Sequence, residues 1–258
     1  MRAREDAVEA VTSQRVMGNS LTFVRAVANS IFFGLWTAFM VSYAVSTGLL
    51  LRDPDFFKRQ QRHWARGLLS FWGVELEIFG AEYMSPATSY VIMANHASYA
   101  DIVALFMALP IIPGFMAKRE LLRVPFLAAA LRAGGHVIVD RGQHDKAMKV
   151  IDTAARQVRE GKTVLIFPEG TRGNSETLGD FKSGGFRLAR SAGVPIIPVG
   201  LRGTGKVGPR HSLLFWPGKI EVHIGEPLLP SEIQSLDHGA LMQRVRGRIV
   251  TLSGTPAS

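Results

Sequence analysis

An α/β fold, with a mostly parallel mixed sheet flanked by helices and an N-terminal membrane-associated helical segment, is what this sequence predicts. Three observations carry that reading. No residue from Ala26 to Leu51 is charged, and Arg25 and Arg52 bound the run. From residue 74 onward, short apolar runs alternate with helical stretches, the pattern of strand–helix units in a parallel sheet. Polar clusters follow three of those runs, where open α/β sheets hold their ligands.

Along the chain, residues 1–20 are polar and weakly patterned and read as a flexible or frayed lead. The uncharged run is 26 residues long, more than the roughly 20 that a bilayer-spanning helix needs. A cleaved signal peptide and a buried core helix compete with a membrane helix here. Ala44-Val45-Ser46 offers a small-x-small pair, but the apolar run continues through Leu51 and is long for a signal. In the next segment Phe56, Phe57, Trp64, Leu68 and Phe71 recur at near-helical spacing, with Lys58, Arg59, Arg62 and Arg66 between them. A basic amphipathic helix carrying Trp and Phe suits a bilayer interface, while a surface helix packed on the core is the plainer alternative. Both flanks of the apolar run are basic, so charge does not orient it. Residues 1–72 thus read as an N-terminal lead, membrane helix and basic amphipathic interfacial helix, and 73–258 as an α/β domain.

Within that domain, 74–80, 89–95, 134–141, 162–170, 194–201 and 219–227 read as strands. Residues 99–109, 143–160 and 182–192 read as helices, and Ser231-Glu232-Ile233-Gln234 opens a last one near 231–252. Gly203-Thr204-Gly205-Lys206-Val207-Gly208 fits a dinucleotide fingerprint. Pro209 follows it and the next segment reads as strand, where the fingerprint requires a helix.

Composition limits the chemistry. Hydrophobic residues make up 47% of 258 residues, enough for a packed core. The formal charge of +9 points to anionic partners: nucleic acid, anionic lipid or a phosphorylated substrate. With no cysteine, a disulfide framework, a thiolate metal site and a cysteine nucleophile are excluded. None of the seven histidines stands four residues from another, which argues against a zinc site, and no metal or cofactor is expected. Nucleic-acid binding is disfavoured because the aromatics gather in the apolar N-terminal region and no recognised binding motif occurs.

The polar clusters are "NHASYAD", "VDRGQHD" and "FPEGTRG". In the first, Ser98 and Asp101 form a capping box, so Asp101 can be a helix cap and His96 an ordinary loop residue. A loop-to-helix joint can equally fold the two together, with the carboxylate fixing the imidazole tautomer for general-base work. In the third, Pro168 and Gly170 force a turn that holds Glu169, Thr171 and Arg172 at fixed angles. There Arg172 suits bidentate phosphate recognition, and a turn closed by a surface ion pair is the alternative.

Taken together, "NHASYAD", "AKRELLRVPFLAAALRAGGHVIVDR", "FPEGTRG…FKSGGFRLA" and "AGVPIIPVGL" resemble the four ordered blocks of glycerolipid acyltransferases, most closely the bacterial 1-acyl-sn-glycerol-3-phosphate acyltransferases. The resemblance runs through about residues 74–225, and the N-terminal segment resembles the helical anchor of such enzymes. It implies that His96 and Asp101 are the catalytic dyad, and that Lys118, Arg141, Glu169, Gly170, Thr171 and Arg172 bind substrate. Val194 to Pro198 match the fourth block. One departure is Ala100, where related sequences often carry a larger residue.

The activity so implied is acyl transfer from acyl-CoA or an acylated carrier protein to the sn-2 hydroxyl of 1-acyl-sn-glycerol 3-phosphate. The implied place is the bacterial inner membrane, with the catalytic domain on its cytoplasmic side. Other acceptors (glycerol 3-phosphate, a lyso-ornithine lipid) and a non-catalytic phospholipid-binding protein are the alternatives. Backbone N–H groups near a turn or helix start are expected to hold the oxyanion.

Overall fold

Period-two alternation of Val, Ile, Leu and Met builds the centre of the molecule, because successive side chains of a strand point to opposite faces. The computed structural model describes residues 2–51, 53, 56–118, 122–123, 128, 131, 134, 136–139, 144–173 and 177–256. Two helices come first, α1 (Arg2–Leu51) and α2 (Phe56–Trp72). There follow β1 (Val74–Phe79), β2 (Val91–Ala94), α3 (Ala100–Ala108), β3 (Gly114–Lys118), β4 (Val137–Val139) and α4 (His144–Arg159). The remainder is β5 (Val164–Ile166), α5 (Gly184–Ala192), β6 (Ile196–Arg202), α6 (Thr204–Val207), β7 (Gly218–Ile224), α7 (Pro230–Ser235) and α8 (His238–Ser253).

Seven described strands form one sheet in the order β1-β7-β6-β2-β5-β3-β4. Strands β2 to β6 are mutually parallel, β7 runs antiparallel to β6, and β1 is parallel to β7. The expected mixed, mostly parallel sheet is therefore present. The carboxyl ends of β2, β5 and β6 all emerge at one end of it.

Helices cover both faces. On one, Ile92, Leu165, Ile197, Val199 and Leu201 pack with Leu68, Leu69 and Trp72 of α2 and with Val103 to Phe106 of α3. On the other, Val91, Met93, Val164 and Ile166 meet α4, α5, α7 and α8. Burying each such aliphatic side chain contributes about 1.5–3 kcal/mol, which is why strands covered on both faces read as continuous apolar runs. Gly200 shows how tight the second layer is. A Cβ there would lie 2.3 Å from the Leu252 carbonyl carbon, so only glycine lets the end of α8 rest on β6.

Several sequence expectations need correction. The lead at 2–20 is not a frayed tail: it continues the helix that carries the uncharged run. β3 was not anticipated, because Pro113 and Gly114 break the apolar signal just where it starts. The last helical stretch is two helices, since Asp237 starts a new one by accepting a hydrogen bond from Ala240 N at 2.8 Å. Gly203–Gly208 itself encloses the one-turn α6, and the next element is the strand β7, as expected.

The junction between the two expected regions, 1–72 and 73–258, falls between α2 and β1. Trp72 itself is fully buried and stacks on Phe215 with ring centroids 4.1 Å apart, so α2 shares the core of the sheet. α1 lies antiparallel along α2 through Phe32–Phe71, Trp36–Trp64 and Tyr43–Phe56 contacts. Its Asn29 side chain donates to Phe215 O at 2.8 Å. Only 11% of the most apolar window in Ser20–Leu51 is buried, so this is no core helix, although it is long and apolar enough to cross a membrane.

Candidate active site

β2 ends at Ala94, and the next residues turn away from the sheet toward α3. Asn95 anchors that departure. Its side chain accepts from Leu201 N at 2.7 Å and donates to Leu201 O at 3.0 Å, replacing the ladder bonds that end with the strand. His96 follows with its ring stacked on Phe167 at 3.9 Å. Because Phe167 directly follows β5, the first and third polar clusters meet over neighbouring strand ends.

Asp101, in the first turn of α3, is fully buried. Its Oδ2 accepts three hydrogen bonds: from His96 Nδ1 at 2.7 Å, Ala97 N at 2.8 Å and Ser98 N at 2.9 Å. A carboxylate oxygen facing two backbone N–H groups must accept, so the imidazole carries its proton on Nδ1 and a lone pair on Nε2. Ser98 Oγ in turn accepts from Ala100 N at 3.0 Å. The capping box and the dyad are thus one hydrogen-bonded unit, although the helix itself starts one residue later than Ser98 capping implied.

The backbone of His96 is clamped from the other cluster. His96 N donates to Glu169 Oε1 at 2.9 Å, and Gly173 N donates to His96 O at 2.7 Å. Glu169 Oε2 accepts from Gly179 N at 3.0 Å. Both carboxylate oxygens are therefore engaged by backbone. Burial is the main reason its pKa is raised above 4.5, partly opposed by the hydrogen bonds from His96 and Gly179 and by the charge of His96. The turn that presents Glu169 is closed by Gly170 N donating to Phe167 O at 3.0 Å, with Pro168 and Gly170 at the positions such turns favour. Gly173 is glycine for a steric reason: a Cβ would sit 2.8 Å from Glu169 Oε2.

Arg172 stacks its guanidinium on Tyr99, 4.0 Å from the ring centroid. Its Nη1 is shielded from solvent and makes no hydrogen bond among the described residues. A buried donor without a partner costs about 1–3 kcal/mol, and an anion placed there would satisfy it. Beside His96 and Glu169 opens a cleft of about 460 Å³, with Arg202 and Lys206 on its β6–α6 side.

The structure therefore brings together His96, Asp101, Glu169, Gly170, Thr171 and Arg172. Lys118 ends β3, and the pairing of Phe115 with Leu165 sets it level with the Pro168 turn. Its side chain and the whole of Arg141 lie outside the described residues. Asn95, Tyr99, Phe167 and Gly173 were not singled out from sequence. Their roles depend on partners 71 to 106 positions away, and the only local hint was their place beside the motifs.

Fold and site together define an acyltransferase-type domain, and the family model described as Acyltransferase matches residues 75–202. Human 1-acyl-sn-glycerol-3-phosphate acyltransferase beta is 32% identical over 198 residues, covering 75% of this chain and 71% of that protein. The sheep alpha enzyme is 30% identical over 184 residues, 70% of this chain, and the chain spans 63% of its length. The chain belongs to the glycerolipid acyltransferase family that contains these proteins. The crystal structure of the 1-acyl-sn-glycerophosphate (LPA) acyltransferase PlsC from Thermotoga maritima has the same fold, with a TM-score of 0.78 at 22% identity, over 90% of this chain and 94% of that one.

Proposed function

We propose that the protein transfers an acyl chain from a soluble acyl thioester to the sn-2 hydroxyl of 1-acyl-sn-glycerol 3-phosphate, giving phosphatidic acid for phospholipid biosynthesis. The observation that carries this reading is the His96–Asp101 pair, with Nδ1 committed to a buried carboxylate and Nε2 left as the base. His96 Nε2 takes the proton of the acceptor hydroxyl as its oxygen attacks the thioester carbonyl. When the tetrahedral intermediate collapses, the C–S bond breaks and the imidazolium returns a proton to the departing thiolate. Asp101 stabilises the imidazolium in between. No covalent acyl-enzyme is needed, and Ser98 is occupied as a cap.

Arg172, whose Nη1 has no hydrogen-bond partner among the described residues, grips the acceptor phosphate together with Lys118 and Arg141, beside Gly170 and Thr171. Glu169 serves acceptor binding indirectly, because its oxygens brace the His96 backbone and the 179 loop. The amides of Ala97 and Ser98 are taken by Asp101 and that of Gly173 by His96 O, so the oxyanion must be held by other donors of these loops.

Residues 1–72 act as the membrane anchor and 73–258 as the catalytic domain. Leu21, Val24, Ile31, Leu35 and Phe39 form an exposed stripe along one face of α1, each 57–73% accessible. A perpendicular span would drag α2, with Lys58, Arg59 and Arg62, into hydrocarbon, at several kcal/mol per charge. The hairpin instead lies along one leaflet, on the cytoplasmic side of a bacterial inner membrane, where the donor is acyl-CoA or an acylated carrier protein.

The test is acylation of lysophosphatidate by the purified full chain with acyl-CoA, products read by mass spectrometry, beside a panel of other lysolipids. Phosphatidic acid is expected from the wild type, and His96→Ala should lower the rate by at least about a hundredfold. An undiminished rate in that variant removes the base assignment. Preference for another lysolipid removes the acceptor.

A further inference from the structure

At the opposite end of the sheet from the dyad, a second cavity of about 690 Å³ opens between α2 and the starts of β3 and β5. Thr163, at its edge, and Glu169 are separated by six residues of largely extended chain, about 20 Å. One wall is basic, formed by Arg62, His63 and Arg66 of α2, and Lys162 lines the cavity from the sheet side, its Nζ donating to Gln157 Oε1 at 3.3 Å. The floor is apolar, with Ile111 and Ile112. Arg62 is fixed in place by donating through Nη2 to Leu109 O at 2.7 Å, while its Nε, shielded from solvent, has no hydrogen-bond partner among the described residues.

We propose that this groove holds the phosphate headgroup of an anionic phospholipid of the bilayer, separate from the acyl acceptor at His96. Three features point to lipid. Cations on two facing walls complement a phosphodiester, which a single basic helix face would meet from one side only. The apolar floor suits the glycerol ester region below it. The groove also lies at the end of the α1–α2 hairpin where Leu49, Leu50 and Leu51 are 75%, 83% and 58% accessible, the residues that the membrane reading places in the leaflet. Occupancy would fix how the domain sits on the membrane, and so the angle at which the catalytic end meets its acceptor. The inference rests on that membrane reading.

The experiment uses the full chain and vesicles of phosphatidylcholine, with or without phosphatidylglycerol, read by co-sedimentation. Arg66→Gln and Lys162→Gln, from opposite walls, should each weaken binding to the anionic vesicles by about fivefold. Binding to neutral vesicles and activity on detergent-dispersed lysophosphatidate should stay as in the wild type. Arg244→Gln, on the far face of the sheet, should change neither. If Lys162→Gln binds as tightly as wild type, the charges act as a helix surface and the groove assignment falls. It falls equally if Arg244→Gln is as weak as the groove variants, since attraction is then non-specific. Release from anionic vesicles by coenzyme A at matched ionic strength would reassign the groove to a soluble phosphate. Leu35→Glu separates the two readings: it should abolish binding to both vesicle types, and if it does not, the membrane reading itself fails.

Discussion

The two ends of the sheet treat charge in opposite ways. At the carboxyl end of β2 and β5, Asp101 and Glu169 are buried and receive five hydrogen bonds between them from backbone and imidazole. At the other end, Arg66 and Lys162 are exposed on the rims of a groove, and Lys162 Nζ donates to the neutral side chain of Gln157 at 3.3 Å. Buried charges need partners with fixed geometry, because an unpaired one costs several kcal/mol. Exposed cations need none and act through a field that reaches about 10 Å at ordinary salt. Chemistry that demands sub-ångström alignment sits at the first end. Attraction of a mobile, interchangeable headgroup suits the second. Changes at the dyad end should therefore move rate and stability steeply, and changes at the groove end only affinity.

The largest effect that sharpens this contrast is expected for Asp101→Asn. An asparagine can place its carbonyl oxygen where Oδ2 lies and keep all three donors, so the tautomer of His96 survives. Its NH₂ then occupies the Oδ1 position, a buried site with no hydrogen-bond partner among the described residues. What disappears is the negative charge beside the imidazolium. Hydrogen bonds to charged groups are worth about 1.5–3 kcal/mol, and low dielectric enlarges the loss, so kcat should fall by about a hundredfold or more with KM little changed. Steady-state kinetics check this, and a kcat within threefold of wild type would show that the charge is idle.

Glu169→Gln comes next. Two backbone N–H groups face the two carboxylate oxygens, and an amide can accept from only one while its NH₂ opposes the other. A destabilisation of about 1–3 kcal/mol is expected, with roughly tenfold lower activity from a loosened His96 backbone. The pH dependence has a definite sign. A raised pKa means that the folded protein holds this proton more tightly than the unfolded chain does. Its contribution to stability is thus present at low pH and fades as the pH rises from 4.5 through the folded value. Gln lacks that slope, so the gap between wild type and variant should narrow as the pH is raised above 4.5 in thermal melts. A gap that widens would contradict the assignment of burial as the dominant cause.

How much of this was legible in the sequence differs between the same two regions. The strand ends and the polar clusters after them were readable because short continuous apolar runs and Pro-Gly turns are local signals. That His96 and Asp101 pair, however, needed the resemblance. The residues alone put a cap ahead of a dyad, and the structure contains both. Asn95 stayed silent because its partner is 106 residues away, and Gly200 because its constraint comes from the end of α8. β3 was hidden by Pro113 and Gly114, and the break at Leu236 by two competing helix-start signals, Pro230 at one and Asp237 at the other. The basic face of α2 was visible as periodicity. That it forms one wall of a groove was not, since Lys162 and Ile112 join it only through tertiary packing.

The smallest effect tests how cap and dyad are joined. Ser98 Oγ accepts from Ala100 N, while the Ser98 backbone N–H donates to Asp101. Ser98→Ala removes the first bond and keeps the second, because the second belongs to the main chain. Loss of an N-terminal cap costs about 1 kcal/mol, which should appear as a modest drop in melting temperature. Gly208 presses on this hydroxyl, a Cβ there lying 2.7 Å from Oγ, so the alanine leaves a small gap and not a clash. With Asp101 still receiving Ala97 N, Ser98 N and His96 Nδ1, kcat should stay within about threefold of wild type, well under the tenfold that 1.4 kcal/mol would give. A hundredfold loss in kcat with unchanged stability would mean that the hydroxyl touches the reacting groups and is more than a cap.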